Sequence, residues 1–375
     1  MSALQPVAVV LGTRPEAIKL APVIRELRSR DMPALIVSTG QHREMTTAAL
    51  GLFGITPDRD LALMRRGGGL DQLLALALNG VGSVLAEARP QALVVQGDTT
   101  STLGAALAAF HARIPVAHVE AGLRSHDLAR PFPEEMNRRA TSLLSRWHLA
   151  PTDGAAANLA AEGITTGVTV TGNTVVDALR QILADAPPIP PELDEVASRG
   201  PYLLATAHRR ESWEGGIESI AVALRAILEA LPDHRLIFAT HPNPVARRPV
   251  QRILGRHPRA RLATAIEYGA FLRLLAGAAL VISDSGGVQE EGPTLGVPVL
   301  VTRDVTERPE GVDAGAVRLV GTDAGRITRE ALAILGDPAA RERMRLAGGG
   351  IYGDGQAARR IVDVLVSDGV GQAAR

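Results

Sequence analysis

Three acidic residues sit where short apolar runs give way to small polar residues. They are Asp98 in QGDTTS (96–101), Glu120 in VEAGLR (119–124) and Glu134 in PFPEEMNRR (131–139). Two adjacent strand ends and a nearby loop entering a helix can place three carboxylates in one pocket. Crowded carboxylates push each other's pKa values apart, which creates an acid and a base. The competing reading is structural: Asp98 caps a helix starting near Thr100, and Glu135 pairs with Arg138 or Arg139. Cations accompany the acids, with Arg14 and Lys19 in GTRPEAIK (12–19), Arg209 in TAHRRE (206–211) and Arg308 in TERPE (306–310). Lys19 is the only lysine among 40 basic residues. A bias toward arginine explains the skew but not the one lysine that remains, a compact point charge suited to a phosphate or carboxylate. Ser285, Gly286 and Gly287 in SDSGGVQEE (283–291) put small residues between a strand and a helix. Backbone N–H groups can approach a phosphate there, although an ordinary strand-to-helix turn has the same look. The set points to acid–base chemistry on a nucleotide or nucleotide sugar.

These residues need elements to hold them. Short apolar runs recur, each followed by a helical pattern: Pro6–Leu11, Ala34–Ser38, Ala92–Gln96, Pro115–Val119, Trp147–Ala150 and Val168–Thr171 in the first half. The second half has Tyr202–Thr206, Arg235–Thr240, Arg261–Ala265, Leu280–Ser283, Pro298–Val301 and Val317–Val320. Continuous runs this short read as strands buried on both faces of parallel sheets. Alternation with helical segments implies an α/β doubly wound fold. The segment DAPPIPPE, Asp185–Glu192, reads as a stiff extended linker. It divides the chain into two Rossmann-like domains with the hinge near residues 172–192. From Gln356 on, Ile361, Val362, Val364 and Leu365 fall at helical spacing and predict a packed final helix. The polar clusters, TGQHRE (39–44) and THPNP (240–244) among them, directly follow the strands, where open α/β sheets bind ligands.

Several classes are excluded or disfavoured. The 375 residues carry 40 basic and 40 acidic side chains and 3% aromatics, so neither a basic nucleic-acid stripe nor a base-stacking platform is expected. With no cysteine, thiolate catalysis and Cys-ligated metals are out. No apolar run reaches about 18 residues, and no basic region precedes the first one, so neither a membrane span nor a signal peptide is expected. The default is a cytoplasmic protein. No GxGxxG follows the first strand, and GxxxxGK[ST], GxSxG and HExxH are missing. Asp58-Arg59-Asp60 has the form of a DxD metal motif, but after Pro57 it reads as a solvated turn.

Taken in order, GTRPEAIKLAPV, TGQHRE, QGDTTST, HVEAGLRS, PFPEEMNRR, VTGNTVVDAL, TAHRRES, HPNP, SDSGGVQEEGPTLGVPVL, TERPEGV and YGDG resemble the non-hydrolysing UDP-N-acetylglucosamine 2-epimerases over nearly the whole chain. The resemblance implies a GT-B-like fold, two Rossmann-like domains whose parallel sheets face a central cleft. It places the first domain at 1–172 with the C-terminal helix of about 358–375, and the second, UDP-binding domain at 173–357. It implies a homodimer that interconverts UDP-GlcNAc and UDP-ManNAc without NAD, metal or other cofactor. Its motif positions make Asp98, Glu120 and Glu134 the acid–base carboxylates. His208 would contact the diphosphate and assist UDP departure. Arg14, Lys19, Arg138, Arg209, His241 and Arg308 would bind substrate. Phe271 and the backbone near Ile266 would hold the uracil, Ser285, Gly286 and Gly287 the diphosphate, and Glu291 the ribose hydroxyls.

One departure from the family pattern stands out. Many bacterial members bind a second UDP-GlcNAc as an activator, using the residues matching Gln41 and His42 and an Arg/Gln pair. Here that pair falls on Gly67 and Gly68, which offer no side-chain donor. Activation by added UDP-GlcNAc is therefore expected to be weak or absent, unless Arg65, Arg66 or Gln72 substitutes. Three other readings stay open: a GT-B glycosyltransferase using a UDP-sugar donor, a hydrolysing epimerase releasing UDP and ManNAc, and a non-catalytic nucleotide-sugar sensor.

Overall fold

Thirteen strands order the described residues, and every pairing between them is parallel. The computed structural model describes residues 4–41, 43–63, 68–207 and 215–372. The chain divides into two compact units, residues 1–181 with 352–375, and residues 182–351.

In the first unit the strands are β1 (Val7–Leu11), β2 (Ala34–Ser38), β3 (Arg59–Asp60), β4 (Ala92–Gln96), β5 (Val116–Val119), β6 (Trp147–Ala150) and β7 (Val168–Val170). They lie in the order β3-β2-β1-β4-β5-β6-β7. In the second, β8 (Tyr202–Ala207), β9 (Arg235–Thr240), β10 (Ala260–Thr264), β11 (Leu280–Ser283), β12 (Val299–Val301) and β13 (Val317–Leu319) lie in the order β10-β9-β8-β11-β12-β13. Both sheets run outward from the first strand in one direction and then the other, so each has one switch point, β1/β4 and β8/β11. Loops leaving a switch point diverge and open a crevice. The α/β doubly wound reading thus holds in both halves.

The central strands are apolar and buried on both faces, as continuous Val, Ile, Leu and Ala runs require. One core of the second unit packs Leu203, Leu236, Phe238 and Ile282 of the sheet with Leu224 and Ile227 of the Gly216–Ala230 helix. Helix entry is written locally. The Arg14–Ser29 helix has Thr13 at its N-cap, Pro15 in its first turn and Glu16 at the third position, where its carboxylate reaches back to the Thr13 N–H at 2.7 Å. The final helix, Ala357–Ser367, buries Ile361, Val362 and Leu365. It packs on the Arg14–Ser29 helix, and Asp177 accepts from its first two N–H groups at 3.2 and 3.0 Å.

Three expectations are corrected. Arg59–Asp60 is not a turn but β3, an edge strand short enough that its charged side chains stay in solvent. Asp58, itself exposed, accepts from Ile36 N–H at 2.7 Å. The proline-rich linker ends early, because Pro191 opens the Pro191–Ser198 helix, where a proline loses no hydrogen bond. The edge strands β7 and β10 are only half buried, so burial on both faces belongs to the inner strands alone.

Candidate active site

The β1/β4 switch point of the first unit collects most of the acid–base groups. Gly12 follows β1, and a Cβ there would stand 2.0 Å from Thr39 Oγ1, so only glycine lets the β1 and β2 loops close up. Glu16 is buried beneath them. One of its oxygens accepts from Gly12 N–H and Thr13 N–H, both at 2.7 Å, and the other from Thr99 Oγ1 at 2.7 Å and Thr102 Oγ1 at 2.8 Å. A buried carboxylate is tolerable when its lone pairs are met in this way.

Asp98 and Glu120 leave neighbouring strands in step, since Gln96 at the end of β4 is paired with Val119 at the end of β5. Glu120 holds a left-handed backbone (φ 63°), unusual for a side chain with a Cβ. It is ion-paired with Lys19, and both side chains are buried. The single lysine therefore meets a carboxylate of the candidate site. Asp98 does not cap the following helix; Thr99 does, accepting from Thr102 N–H at 3.1 Å. The Asp98 carboxylate instead receives Arg138, whose Nε donates to Oδ2 at 3.1 Å while Nη1 reaches Glu135 at 2.9 Å. Glu135 also accepts from Ser125 and His126 N–H at 3.0 and 3.3 Å, so it anchors the loop between β5 and the Glu134–Leu144 helix. Glu134 opens that helix next to this network. The structure thus joins Lys19 to Glu120 and Arg138 to Asp98, the second pair part of a network with Glu135. Arg14 is exposed at the helix entrance, and Gln41 accepts from Ser101 Oγ at 3.0 Å.

His118 lies fully buried in β5. Its Nε2 is 2.7 Å from the Gly97 carbonyl, which fixes the Nε2–H tautomer. Burial pushes its pKa down to about 3, so the ring is neutral near pH 7.

The second unit offers a different surface. After β11, buried Asp284 leads through Ser285, Gly286 and Gly287 into the Val288–Thr294 helix. Ser285 N–H donates to Ser283 Oγ at 3.0 Å. Glu291 is buried on that helix and accepts from Tyr268 Oη at 2.7 Å. Tyr268 begins the Tyr268–Gly277 helix, which also carries half-buried Phe271, with Ile266 just before it. Arg308 is held by buried Glu290 and by Glu307, and Glu307 is held in turn by Arg303 at 3.1 Å. In this structure its guanidinium braces the TERPE loop on the Val288–Thr294 helix. His241 follows β9, where its Nδ1 accepts from Asn243 N–H at 3.1 Å. His42, Gly67, His208 and Arg209, with Arg65 and Arg66, lie outside the described residues. Gly68 is exposed.

Glu16, Asn137, His118 and Tyr268 belong to these networks and are not among the sequence candidates. Glu16 had a readable signal, the Thr-x-x-Glu capping pattern. Asn137, His118 and Tyr268 had none beyond standing near a candidate. No cluster of three or more His, Asp or Glu able to hold a metal occurs among the described residues, and no helix there is long and apolar enough to cross a membrane.

Comparison with known proteins identifies the family. The family model described as UDP-N-acetylglucosamine 2-epimerase matches residues 25–366. The UDP-N-acetylglucosamine 2-epimerase of Escherichia coli K12 is 45% identical over 368 residues, covering 96% of this chain and 98% of its own. The crystal structure of the Neisseria meningitidis UDP-GlcNAc 2-epimerase bound to UDP-GlcNAc superposes with a TM-score of 0.89 at 40% identity, covering 96% and 100% of the two chains. The Methanocaldococcus jannaschii enzyme in complex with UDP-GlcNAc and UDP gives 0.81 at 34% identity, covering 96% and 99%. These likenesses bear out the resemblance and the GT-B-like α/β fold class. With its full-length match and its carboxylates at the strand ends, the chain belongs to the UDP-N-acetylglucosamine 2-epimerase family of isomerases.

Proposed function

We propose that the protein interconverts UDP-GlcNAc and UDP-ManNAc without hydrolysis, by anti elimination of UDP and its syn re-addition. The observation that carries this reading is the pair of cation-held carboxylates, buried Glu120 and half-buried Asp98, on adjacent strand ends. The C2 hydrogen of the sugar is weakly acidic, so its removal must be coupled to loss of a good leaving group. One carboxylate takes the C2 proton, the C2–H pair becomes the C1–C2 double bond, and the C1–O pair leaves with UDP. The product is 2-acetamidoglucal. Return of a proton to the opposite face of C2, with attack of the UDP oxygen on C1, completes the inversion. Two faces require more than one carboxylate, a part for which Glu120, Asp98 and Glu134 are the candidates. Each positioned acid–base group typically contributes about 10²–10⁴-fold.

The second unit takes the nucleotide. The Ser285-Gly286-Gly287 turn receives the diphosphate, Glu291 the ribose, and Phe271 with the Ile266 backbone the uracil. His241 lies at the end of β9 on the same sheet. His208, Arg209 and Arg14 supply charge to the leaving UDP. Arg138 orders Asp98, and Arg308 orders the turn through Glu290. The domains at 1–172 with 358–375 and at 173–357, the homodimer and a cytoplasmic location belong to the same reading. Activation through Gln41 and His42 is weak or absent, because Gly67 and Gly68 stand where donors are needed.

The test is the approach to equilibrium from both substrates, with a chelator present and no NAD added. Both directions should reach one UDP-GlcNAc to UDP-ManNAc ratio, with free UDP at trace level. Steady accumulation of UDP and free ManNAc would show a hydrolysing enzyme. No conversion without an added sugar acceptor would favour a glycosyltransferase.

A further inference from the structure

The tripeptide Gly97-Asp98-Thr99 is held from three separate elements. Gly97, in a left-handed conformation (φ 73°), gives its carbonyl to His118 Nε2–H at 2.7 Å. His118 stands in β5, two residues before Glu120. Asp98 gives its own carbonyl to Asn137 Nδ2 at 2.9 Å. Asn137 is buried on the helix that opens with Glu134, one residue before Arg138. Thr99 donates its hydroxyl to Glu16, on the helix that carries Lys19. The backbone around one candidate carboxylate is thus tied to the strand of the second, the helix of the third and the helix of the lysine.

We propose that His118, Asn137 and Glu16 are positioning residues that together fix Asp98 for proton transfer. The inference rests on the reading of Asp98 as a catalytic carboxylate. A side chain at the tip of a glycine turn needs outside support, because the turn itself restrains little. The three side chains that hold the tripeptide, His118, Asn137 and Glu16, are all buried. His118 is suited to this and not to proton transfer: its Nε2–H is spent on a carbonyl, and its burial keeps the ring uncharged. Misplacing a reacting group by about 1 Å can cost about 100-fold in rate, so the mount should be visible in kcat.

The experiment compares the full-length protein with Asn137→Ala, alone and with Asp98→Asn, and with His118→Leu and His118→Gln. Asn137→Ala should lower kcat by about 30–100-fold, with KM and UDP affinity changed less than about 2-fold. Added to Asp98→Asn it should cost little more, because it acts through Asp98. His118→Leu should match the Asn137→Ala loss, and His118→Gln, which keeps a donor, should recover most of it. If His118→Leu does not fold, the Asn137 pair decides. Unchanged kcat in Asn137→Ala, or the same fold loss with and without Asp98→Asn, overturns the proposal. Full activity in Asp98→Asn alone would instead remove the reading on which it rests.

Discussion

The two switch points of this chain are built from the same sheet topology and furnished in opposite ways. At β1/β4 and the adjoining β5 the strand ends carry ion pairs, Lys19 with Glu120 and Arg138 with Asp98, tied in by side-chain bonds from the Arg14–Ser29 and Glu134–Leu144 helices. At β11 of the second unit the strand ends in serine and glycines, which offer backbone N–H groups, and the charged residues Glu290 and Arg308 serve to brace the loop. In the proposed reaction the first crevice moves protons and holds charge in place, and the second takes a polyphosphate and a ribose. Topology fixes where a ligand can sit, and only the side chains decide what happens to it.

The contrast breaks most sharply in the acid–base pair. Asp98→Asn and Glu120→Gln should each lower kcat by about 10²–10⁴-fold while UDP still binds. Retained turnover, or loss of UDP binding in step with activity, would contradict the separation of roles. Next in size is Lys19→Met, which leaves Glu120 without its buried ion-pair partner. Breaking such a pair typically costs about 3–5 kcal/mol, to be read from denaturant unfolding. A variant as stable as the parent would show the pair to be dispensable for folding.

A third prediction concerns pH. The folded His118 titrates at about 3 against an ordinary 6.5, because burial penalises its charged form. Between those values the unfolded chain binds a proton that the folded chain refuses, so stability falls as pH drops below about 6.5 toward 3. Above 6.5 this group contributes no slope. His118→Gln should therefore flatten part of the acid limb of the stability curve; an unchanged limb would contradict the burial argument. The smallest effect belongs to the second unit. Tyr268→Phe removes one hydrogen bond to the buried Glu291 carboxylate and should weaken UDP binding by about tenfold or less, with kcat unchanged. A fall in kcat at constant affinity would erase the division between the two crevices.

How far the sequence carries these conclusions depends on the interaction involved. Strands such as Ala92–Gln96 and Leu280–Ser283 coincide with their apolar runs, because burial on two faces leaves no other pattern available. Arg59–Asp60 was illegible, since two charged residues on a sheet edge obey no periodicity. Lys19 was legible as an oddity of composition, yet its partner, 101 positions away, was not. The same limit hid His118 and Asn137: a bond to a backbone carbonyl on another element leaves no mark on local spacing. Arg308 shows the same limit from the other side. A lone arginine in a loop reads as free countercharge, and only the fold reveals that Glu290 and Glu307 already hold it.

The most direct test of the central claim is NMR of the purified protein with UDP-GlcNAc alone in D₂O. The account predicts UDP-ManNAc carrying deuterium at C2, with nearly all UDP still bound to sugar. UDP-ManNAc that keeps its original C2 hydrogen, or free ManNAc in step with UDP, would contradict it.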